Sequence, residues 1–575
     1  MKNLVRVTTI SPKVHIGNVK ANIKEISKAL LSHGLRSNII VTPELSLVGY
    51  TTQDLLFNQD ILEEFSDNFM MNMIELQKAM ASTSVLVVGA PIVYNNAMYN
   101  CAVVLSKTEV LGIVPKCYIP NYKEFYEKRW FNSGFDNLPK TIKFEDKEIN
   151  FGPQLVFDVD KYKFGVEICE DLWAPNPPSV KMCLSGAEII VNLSASNETI
   201  GKSEYRRSLV RQQSARCICG YVYCSAGSSE STSDLVFSGH NIIAENGSIM
   251  AESKLFDNKN QSMLSADFDL DKIRHDRLEN RTFTFRATDL CRIISTKSCV
   301  CYYDIDETLR KISMTPFVPA NNLKERCLEI FNIQTEALAR RWEDTGSKHL
   351  VIGVSGGLDS TLALLVAVGA ADKLEYDTSR IVGITMPCFG TTSRTKDNAV
   401  KLMKELGVTS KEVNIGESVK QHLKDLGLSE DDRSIAYENA QARERTQLLM
   451  DYANMVGGFV VGTGDLSELA LGWCTYNGDH MSMYSVNCSI PKTLVREMVN
   501  NVGVHLAFKT NGFGRELARC LSDILATPVS PELLPPASNG EITQLTEDSV
   551  GPYVLNDFFL FYTLRYGFGK DKILE

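Results

Sequence analysis

The chain lacks a Walker A motif. G-x-x-x-x-G-K-[ST] occurs nowhere, which excludes the lysine-bearing phosphate loop. It also lacks any run of ~20 uninterrupted apolar residues, which excludes a helical membrane span. The opening Met1-Lys2-Asn3-Leu4-Val5-Arg6-Val7 carries an arginine inside its apolar run and has no h-region of a secretory signal. Positive charge is in deficit: the net charge of −10 argues against nucleic acid and against an anionic membrane surface as partners. The 15 cysteines are odd in number and irregularly spaced, which fits a reducing cytoplasm better than a disulfide framework. Cys217-Ile218-Cys219 and Cys299-Val300-Cys301 have no histidine or further cysteine at ligand spacing, so they read as buried reduced thiols rather than metal ligands. No internal repeat or low-complexity segment stands out. A soluble, cytoplasmic protein is expected.

What remains is ordinary globular composition, 44% hydrophobic and 23% charged, spread over 575 residues. That length exceeds one core and predicts two domains of roughly 250–300 residues. In the first half, β-rich runs at Val5–Thr9, Asn38–Thr42, Val85–Gly89, Ala102–Leu105, Phe164–Ile168, Ile189–Asn192 and Tyr221–Cys224 alternate with helical patterns such as Val19–Ser32 and Ser203–Cys217. This is an α/β layout, with chemistry expected in loops beyond strand ends. Around residues 256–310 the pattern weakens. Residues 311–322, with Pro316 and Pro319 and no helical period, read as a linker between domains 1–310 and 323–575.

Three strand ends of the first half carry reactive side chains: Glu44 in Thr-Pro-Glu-Leu, Lys116 in Pro-Lys-Cys-Tyr, and Cys169 in Glu-Ile-Cys-Glu-Asp. A carboxylate to take a thiol proton, a thiol to attack an amide carbon, and an ammonium to lower the thiol pKa and hold an oxyanion make a set for amide hydrolysis. In this order, and with Asn192-Leu193-Ser194-Ala195-Ser196 closing a later strand, the residues resemble the nitrilase (carbon–nitrogen hydrolase) superfamily.

In the second half the apolar strand Leu350–Val354 runs into Ser355-Gly356-Gly357-Leu358-Asp359-Ser360 and then an apolar helix. Strand, glycine turn and helix N-terminus form a phosphate cradle. Its hydroxyls suit pyrophosphate, and Asp359 suits Mg²⁺. The SGGxDS string resembles the signature of the ATP pyrophosphatases. Further βα units are predicted: a strand at Ile381–Met386, a helix near Lys396–Leu406, a strand at Lys411–Ile415, a helix over Tyr437–Tyr452 and a strand at Phe459–Gly462. A doubly wound parallel sheet follows, with ligands at the carboxyl ends of its strands. Glu468, just past the last strand, is placed for a second carboxylate on the metal. Asn439 and Arg443 share one helix face at i and i+4.

A nitrilase-like αββα sandwich ahead of an SGGxDS domain resembles the glutamine-dependent NAD⁺ synthetases over essentially the whole chain, including Ser530-Pro531-Glu532-Leu533 and the tail Arg565–Lys572. The resemblance implies a ligase of NAD biosynthesis that consumes deamido-NAD⁺, glutamine and ATP and gives NAD⁺, glutamate, AMP and pyrophosphate through an adenylated intermediate. It assigns Glu44 as general base, Lys116 as oxyanion partner and Cys169 as nucleophile, with Tyr122, Ser196 and Lys202 on glutamine. It places ATP on Gly353, Val354, Ser355, Gly356, Gly357, Leu358, Asp359, Ser360 and Thr463, and Mg²⁺ on Asp359 and Glu468. It gives deamido-NAD⁺ to Asn439, Glu468, Trp473, Cys474, Thr475, Tyr476 and Lys572. It implies a homo-oligomer, a dimer of synthetase domains that stacks as far as an octamer. Other ATP-pyrophosphatase amidotransferases use different glutaminase folds, one of them with an N-terminal cysteine at residue 2, where this chain has Lys2. A catalytically dead scaffold or nucleotide sensor is the rival of another class, which AMP release would separate.

Overall fold

The computed structural model describes residues 3–33, 36–257, 262–283, 290–296, 305–429, 432–509, 514–527, 533 and 546–575. Cys299, Cys301 and residues 530–532 lie outside them. Two compact units are formed, residues 1–311 with 568–575 and residues 312–567. The tail expected with the second domain thus folds with the first. Its Lys572 Nζ lies 2.6 Å from both Asp269 and Asp271, which cap and open the helix Leu270–Glu279.

The first unit has two large sheets among the described residues, besides two two-stranded ones. One is six-stranded, in the order Ser262–Asp269, Leu4–Ser11, Ile39–Val41, Val85–Tyr94, Ala97–Leu105, Val110–Pro115. The other is seven-stranded and has the parallel trio Lys163–Ile168, Ile189–Ser194 and Gly220–Ser225 at its centre. Period-two alternation decides which way each side chain faces. Val5, Val7, Val85 and Val87 of one sheet pack against Phe164, Val166, Val191 and Val222 of the other in a shared core. The opposite residues of the first sheet, such as Leu86 and Val88, meet Ile23, Ile26, Met70 and Met73 of the helices Val19–Ser32 and Phe69–Ala79. Ile190, Tyr221 and Tyr223 meet Met182 and Val210 of the helices Pro178–Leu184 and Lys202–Arg216 on the far side. The four layers run helix, sheet, sheet, helix. The stretch 256–310, where the sequence pattern weakens, supplies the edge strand Ser262–Asp269, paired antiparallel with Leu4–Ser11 over its full length.

The second unit carries a five-stranded sheet, parallel throughout, in the order Thr409–Glu412, Ile381–Thr385, His349–Gly353, Gly458–Gly462, Tyr484–Ser485. The strand expected at Lys411–Ile415 pairs two to three residues earlier, because Val382–Thr385 sets its register from Thr409. In chain order the sheet reads 3-2-1-4-5, so the topology switches between His349–Gly353 and Gly458–Gly462, and a crevice opens at their carboxyl ends. Leu350 and Ile352 pack toward the helices Leu323–Thr345 and Leu358–Lys373, while Val351 packs toward Gly416–Asp425 and Ile435–Val456. Among the described residues no helix is long and apolar enough to cross a membrane.

Candidate active sites

In the first unit the structure brings Glu44, Lys116 and Cys169 into one buried cluster. Glu44 follows the strand Ile39–Val41 on a turn that lies hard against Gly89. A Cβ there would stand 2.2 Å from Leu45 N, so the close approach needs glycine. Glu44 Oε1 accepts from Asn100 Nδ2 at 2.7 Å and from Lys116 Nζ at 2.6 Å, and its Oε2 accepts from Ala195 N at 2.9 Å. Lys116 Nζ also donates to both oxygens of Glu127 at 2.8 Å, and Tyr50 Oη donates to Glu127 at 2.8 Å. Glu127 is a member that sequence reasoning missed. It sits buried in a short 3-10 turn, where Lys116 and Tyr50 reach it from other elements.

Cys169 ends the strand Lys163–Ile168 at φ 43° and ψ −97°, a left-handed backbone that most residues avoid and that costs about 1–3 kcal/mol. The strain is held by Cys169 N donating to Leu193 O at 2.9 Å, and by Asp171, whose carboxylate accepts from Ile168 N, Cys117 N and Tyr118 N at 2.8–3.0 Å. One buried carboxylate therefore ties the Cys169 turn to the strand end beside Lys116. The helix Glu170–Trp173 then starts directly after the sulfur, placing its first N–H groups beside the thiol.

Opposing influences act on the Cys169 thiol. Lys116 does pull the Cys169 thiol pKa down, but burial pushes it far up, and the Glu44 and Glu127 carboxylates add to that. The balance favours the neutral thiol of Cys169 over the thiolate. Burial alone would lower the pKa of Lys116, yet Glu127 and Glu44 outweigh it and keep the ammonium charged. Burial raises Glu127 to about 7 against the opposing pull of Lys116.

Around this cluster, Tyr122 Oη donates to the Glu170 carboxylate at 2.9 Å. Lys202 Nζ donates to Asn197 Oδ1 and lies 5.2 Å from the Phe125 ring centroid and 5.5 Å from that of Trp173. Burial lowers the Lys202 pKa, with the Cys169 site near enough to oppose it. Ser196 is buried and accepts from Arg206 Nη2 at 3.1 Å.

In the second unit a cavity of about 310 Å³ opens at the sheet's switch point. Gly353, Val354, Ser355, Gly357, Leu358, Asp359, Ser360, Thr463, Glu468, Trp473 and Thr475 line it. Gly356 is turned away at φ 86°, and a Cβ there would stand 2.2 Å from Thr395 O, so the loop closes only over glycine. Ser355 Oγ accepts from Gly357 N at 3.2 Å and lies 3.1 Å from Ser360 Oγ, which fixes the ring of the loop. Asn439 Oδ1 accepts from Thr475 Oγ1 at 2.8 Å, and Arg443 Nε donates to Tyr476 O at 3.0 Å, so the two support the Trp473–Tyr476 loop from behind. Cys474 and the exposed Tyr476 do not line the cavity. Lys572 belongs to the first unit, where its Nζ pairs with Asp269 and Asp271.

The sequence reading also missed two residues here. Lys492 opens the helix Lys492–Lys509, and its Nζ lies 2.7 Å from Asp359, 2.7 Å from Asp465 and 2.8 Å from Glu468. Burial and the charge of Asp359 raise Asp465 to about 6 and Glu468 to about 8, partly offset by Lys492. The oxygens of Asp359, Asp465 and Glu468 lie within 4.8 Å of one another, and Asp359 Oδ1 is buried without a hydrogen-bond partner. Three hard oxygen donors and an unsatisfied carboxylate oxygen fit a divalent cation such as Mg²⁺.

Comparison with known proteins gives each half of the chain a family. A family model for carbon-nitrogen hydrolases matches residues 7–278, and one for NAD synthase matches residues 330–510. The glutamine-dependent NAD(+) synthetase of Mycobacterium tuberculosis H37Rv is 40% identical over 99% of this chain and 84% of its own length. That of Mycobacterium leprae is 40% identical over 100% and 85%, and that of Aquifex aeolicus 27% over 100% and 91%. With both family models in this order and the likeness unbroken from end to end, the chain belongs to the glutamine-dependent NAD⁺ synthetases.

Proposed function

We propose that the two halves of this NAD⁺ synthesis are divided between the two units, with glutamine hydrolysed at Cys169 and deamido-NAD⁺ adenylated over the Ser355–Ser360 loop. The observation that carries the proposal is the buried Glu44–Lys116–Cys169 cluster in one unit, with the Lys492–carboxylate cluster and the glycine loop in the other.

In the glutaminase step the neutral Cys169 thiol gives its proton to Glu44 as Sγ attacks the amide carbon. Lys116, kept charged by Glu127 and Glu44, and the N–H of Glu170 hold the developing oxyanion. Such a contact is worth about 3–4 kcal/mol of barrier. Glu44 then returns the proton to the departing nitrogen, leaving a thioester that water hydrolyses to glutamate. Tyr122, Ser196 and Lys202 bind the rest of the glutamine.

In the synthetase step the nicotinate carboxylate oxygen of deamido-NAD⁺ attacks the α-phosphorus of ATP, and pyrophosphate leaves. Ammonia then attacks the adenylated carbonyl, and AMP leaves. The N–H groups of the loop and the hydroxyls of Ser355 and Ser360 hold phosphate oxygens, and Lys492 supplies positive charge beside them. Asp359, Glu468 and Asp465 would hold Mg²⁺, which neutralises charge on the phosphates when bound. Thr475 and Trp473, backed by Asn439, form the wall facing the dinucleotide. The chain works as a homo-oligomer in the cytoplasm.

The test is Cys169→Ala. It removes one sulfur from a buried turn, a cavity worth about 1–2 kcal/mol. NAD⁺ formation from glutamine is expected to disappear while formation from ammonium salts persists. Glutamine-driven synthesis in the variant would exclude Cys169 as the nucleophile.

A further inference from the structure

The helix Tyr553–Tyr566 lies outside every motif that marks the two sites, yet one of its faces reaches the Lys492 cluster. Asp557 is fully buried. One of its oxygens accepts from Ser467 Oγ, and the other accepts from Thr493 N at 2.9 Å and Thr493 Oγ1 at 2.6 Å. Ser467 Oγ in turn accepts from Lys492 N at 2.9 Å. The N–H groups of Lys492 and Thr493 are the first two of the helix Lys492–Lys509, donors for which no intrahelical carbonyl exists. A carboxylate 64 residues away thus caps that helix, directly and through Ser467, where the partial positive charge of its N-terminus favours an anion. One turn earlier on the same face, the buried Tyr553 sets its ring 5.3 Å below Lys492 Nζ.

These contacts do more than close a helix end. Ser467 is the neighbour of Glu468 in the helix Leu466–Leu471, and Thr493 is the neighbour of Lys492. Asp557 therefore holds two backbones that carry opposite charges of one site, and it fixes their spacing from a third element. We propose that Asp557, with Tyr553 beneath the ammonium, is a positioning residue for the adenylation step. It sets Lys492 and Glu468 at the separation that the nucleotide phosphates and their cation require. The inference rests on the reading of that cluster as the phosphate end of the synthetase site. Alignment of this kind matters because a misplacement of about 1 Å by a remote substitution can cost ~10²-fold in rate.

The experiment uses the full chain and ammonia-driven NAD⁺ synthesis. It measures kcat, KM for ATP, the Mg²⁺ concentration giving half-maximal rate, and the thermal melt, for Asp557→Ala, Asp557→Asn and Tyr553→Leu. Asp557→Ala is expected to lower kcat/KM for ATP by ~10²-fold and to raise the Mg²⁺ requirement. Asp557→Asn, which keeps the shape and one acceptor oxygen, is expected to recover about a tenth or more of wild-type activity. Tyr553→Leu keeps the apolar bulk but loses the ring face, and is expected to raise KM for ATP at an unchanged melt. A folded Asp557→Ala with KM for ATP and Mg²⁺ dependence as in the wild type would overturn the proposal. So would losses that only follow the melting temperature, which is what a purely structural cap gives. Should Asp557→Ala fail to fold, wild-type kinetics in both other variants would overturn it equally. Asp359→Ala, measured alongside, separates the two readings. If it retains synthesis, the reading of the cluster falls. If it loses synthesis while the Asp557 variants do not, the positioning role alone falls.

Discussion

Replacing Glu127 by Gln changes the glutaminase cluster in two directions at once. Lys116, Glu44 and Glu127 are all fully buried, and with both carboxylates ionised they sum to one net negative charge beside Cys169. Removing the Glu127 charge leaves a neutral pair, so the thiol pKa should fall and alkylation of Cys169 at a fixed pH should quicken. The same change takes a charged, bidentate anchor from Lys116 Nζ and leaves at most one amide oxygen to accept from it. A hydrogen bond to a charged group is worth about 1.5–3 kcal/mol. If half of that is expressed in the oxyanion position, glutamine turnover drops roughly tenfold or somewhat less. A wild-type pH profile should carry the same signature. Glu127 titrates at about 7, above the ordinary glutamate value, because burial opposes its ionisation. Below pH 7 it is protonated and grips Lys116 less, so turnover should rise as pH climbs through 7, and Glu127→Gln should abolish that limb. For stability the sign is opposite. The folded state holds a proton on Glu127 that the unfolded chain has already released above about pH 4.5, so this group's contribution declines as pH rises from there to 7. The assay is glutamine hydrolysis against pH, with iodoacetamide inactivation of Cys169 in parallel. Unchanged alkylation together with turnover within about twofold of wild type would refute the argument.

Three further outcomes are expected. Asp359→Ala should end NAD⁺ synthesis from either nitrogen source while glutamine hydrolysis remains measurable, since Asp359 lies in the other unit from Cys169. Gly356→Ala should destabilise by about 1–3 kcal/mol and weaken ATP binding by calorimetry, because its φ of 86° and the Thr395 carbonyl 2.2 Å from the added carbon both oppose the substitution. Lys572→Ala should lower the thermal melt, since it leaves Asp269 and Asp271 facing each other without their cation.

Much of this was readable in the chain. Glu44, Cys169 and the Ser355–Ser360 loop sit at the ends of apolar runs, where sequence marks both the strand and the reactive residue that follows it. The helix Val19–Ser32 has the bounds that its periodicity predicts, with Asn18 accepting from Ala21 N at its start. Glu127, Asp465 and Lys492 were not legible for a shared reason. Each is an ordinary charged residue at a helix or turn boundary, and its role comes from partners on other elements: Lys116 for Glu127, and Asp359 and Glu468 for Lys492. The Ser262–Asp269 edge strand was missed because only its inner half is deeply buried, which blurs alternation. The pairing of Lys572 with two aspartates about 300 residues earlier was not legible either, because sequence separation that large leaves no local pattern.

The route of that tail has a consequence of its own. The backbone passes from the first unit to the second after residue 311 and returns after residue 567, so the synthetase unit is an insertion within the glutaminase unit rather than an appendage to it. No single cut yields two complete pieces. A fragment ending at residue 311 lacks Lys572, the cation that pairs with Asp269 and Asp271 at the start of the helix Leu270–Glu279, and the complementary fragment carries that lysine without its two aspartates. The inserted unit is tied to the first at both of its ends. Unfolding either unit therefore pulls on both junctions at once.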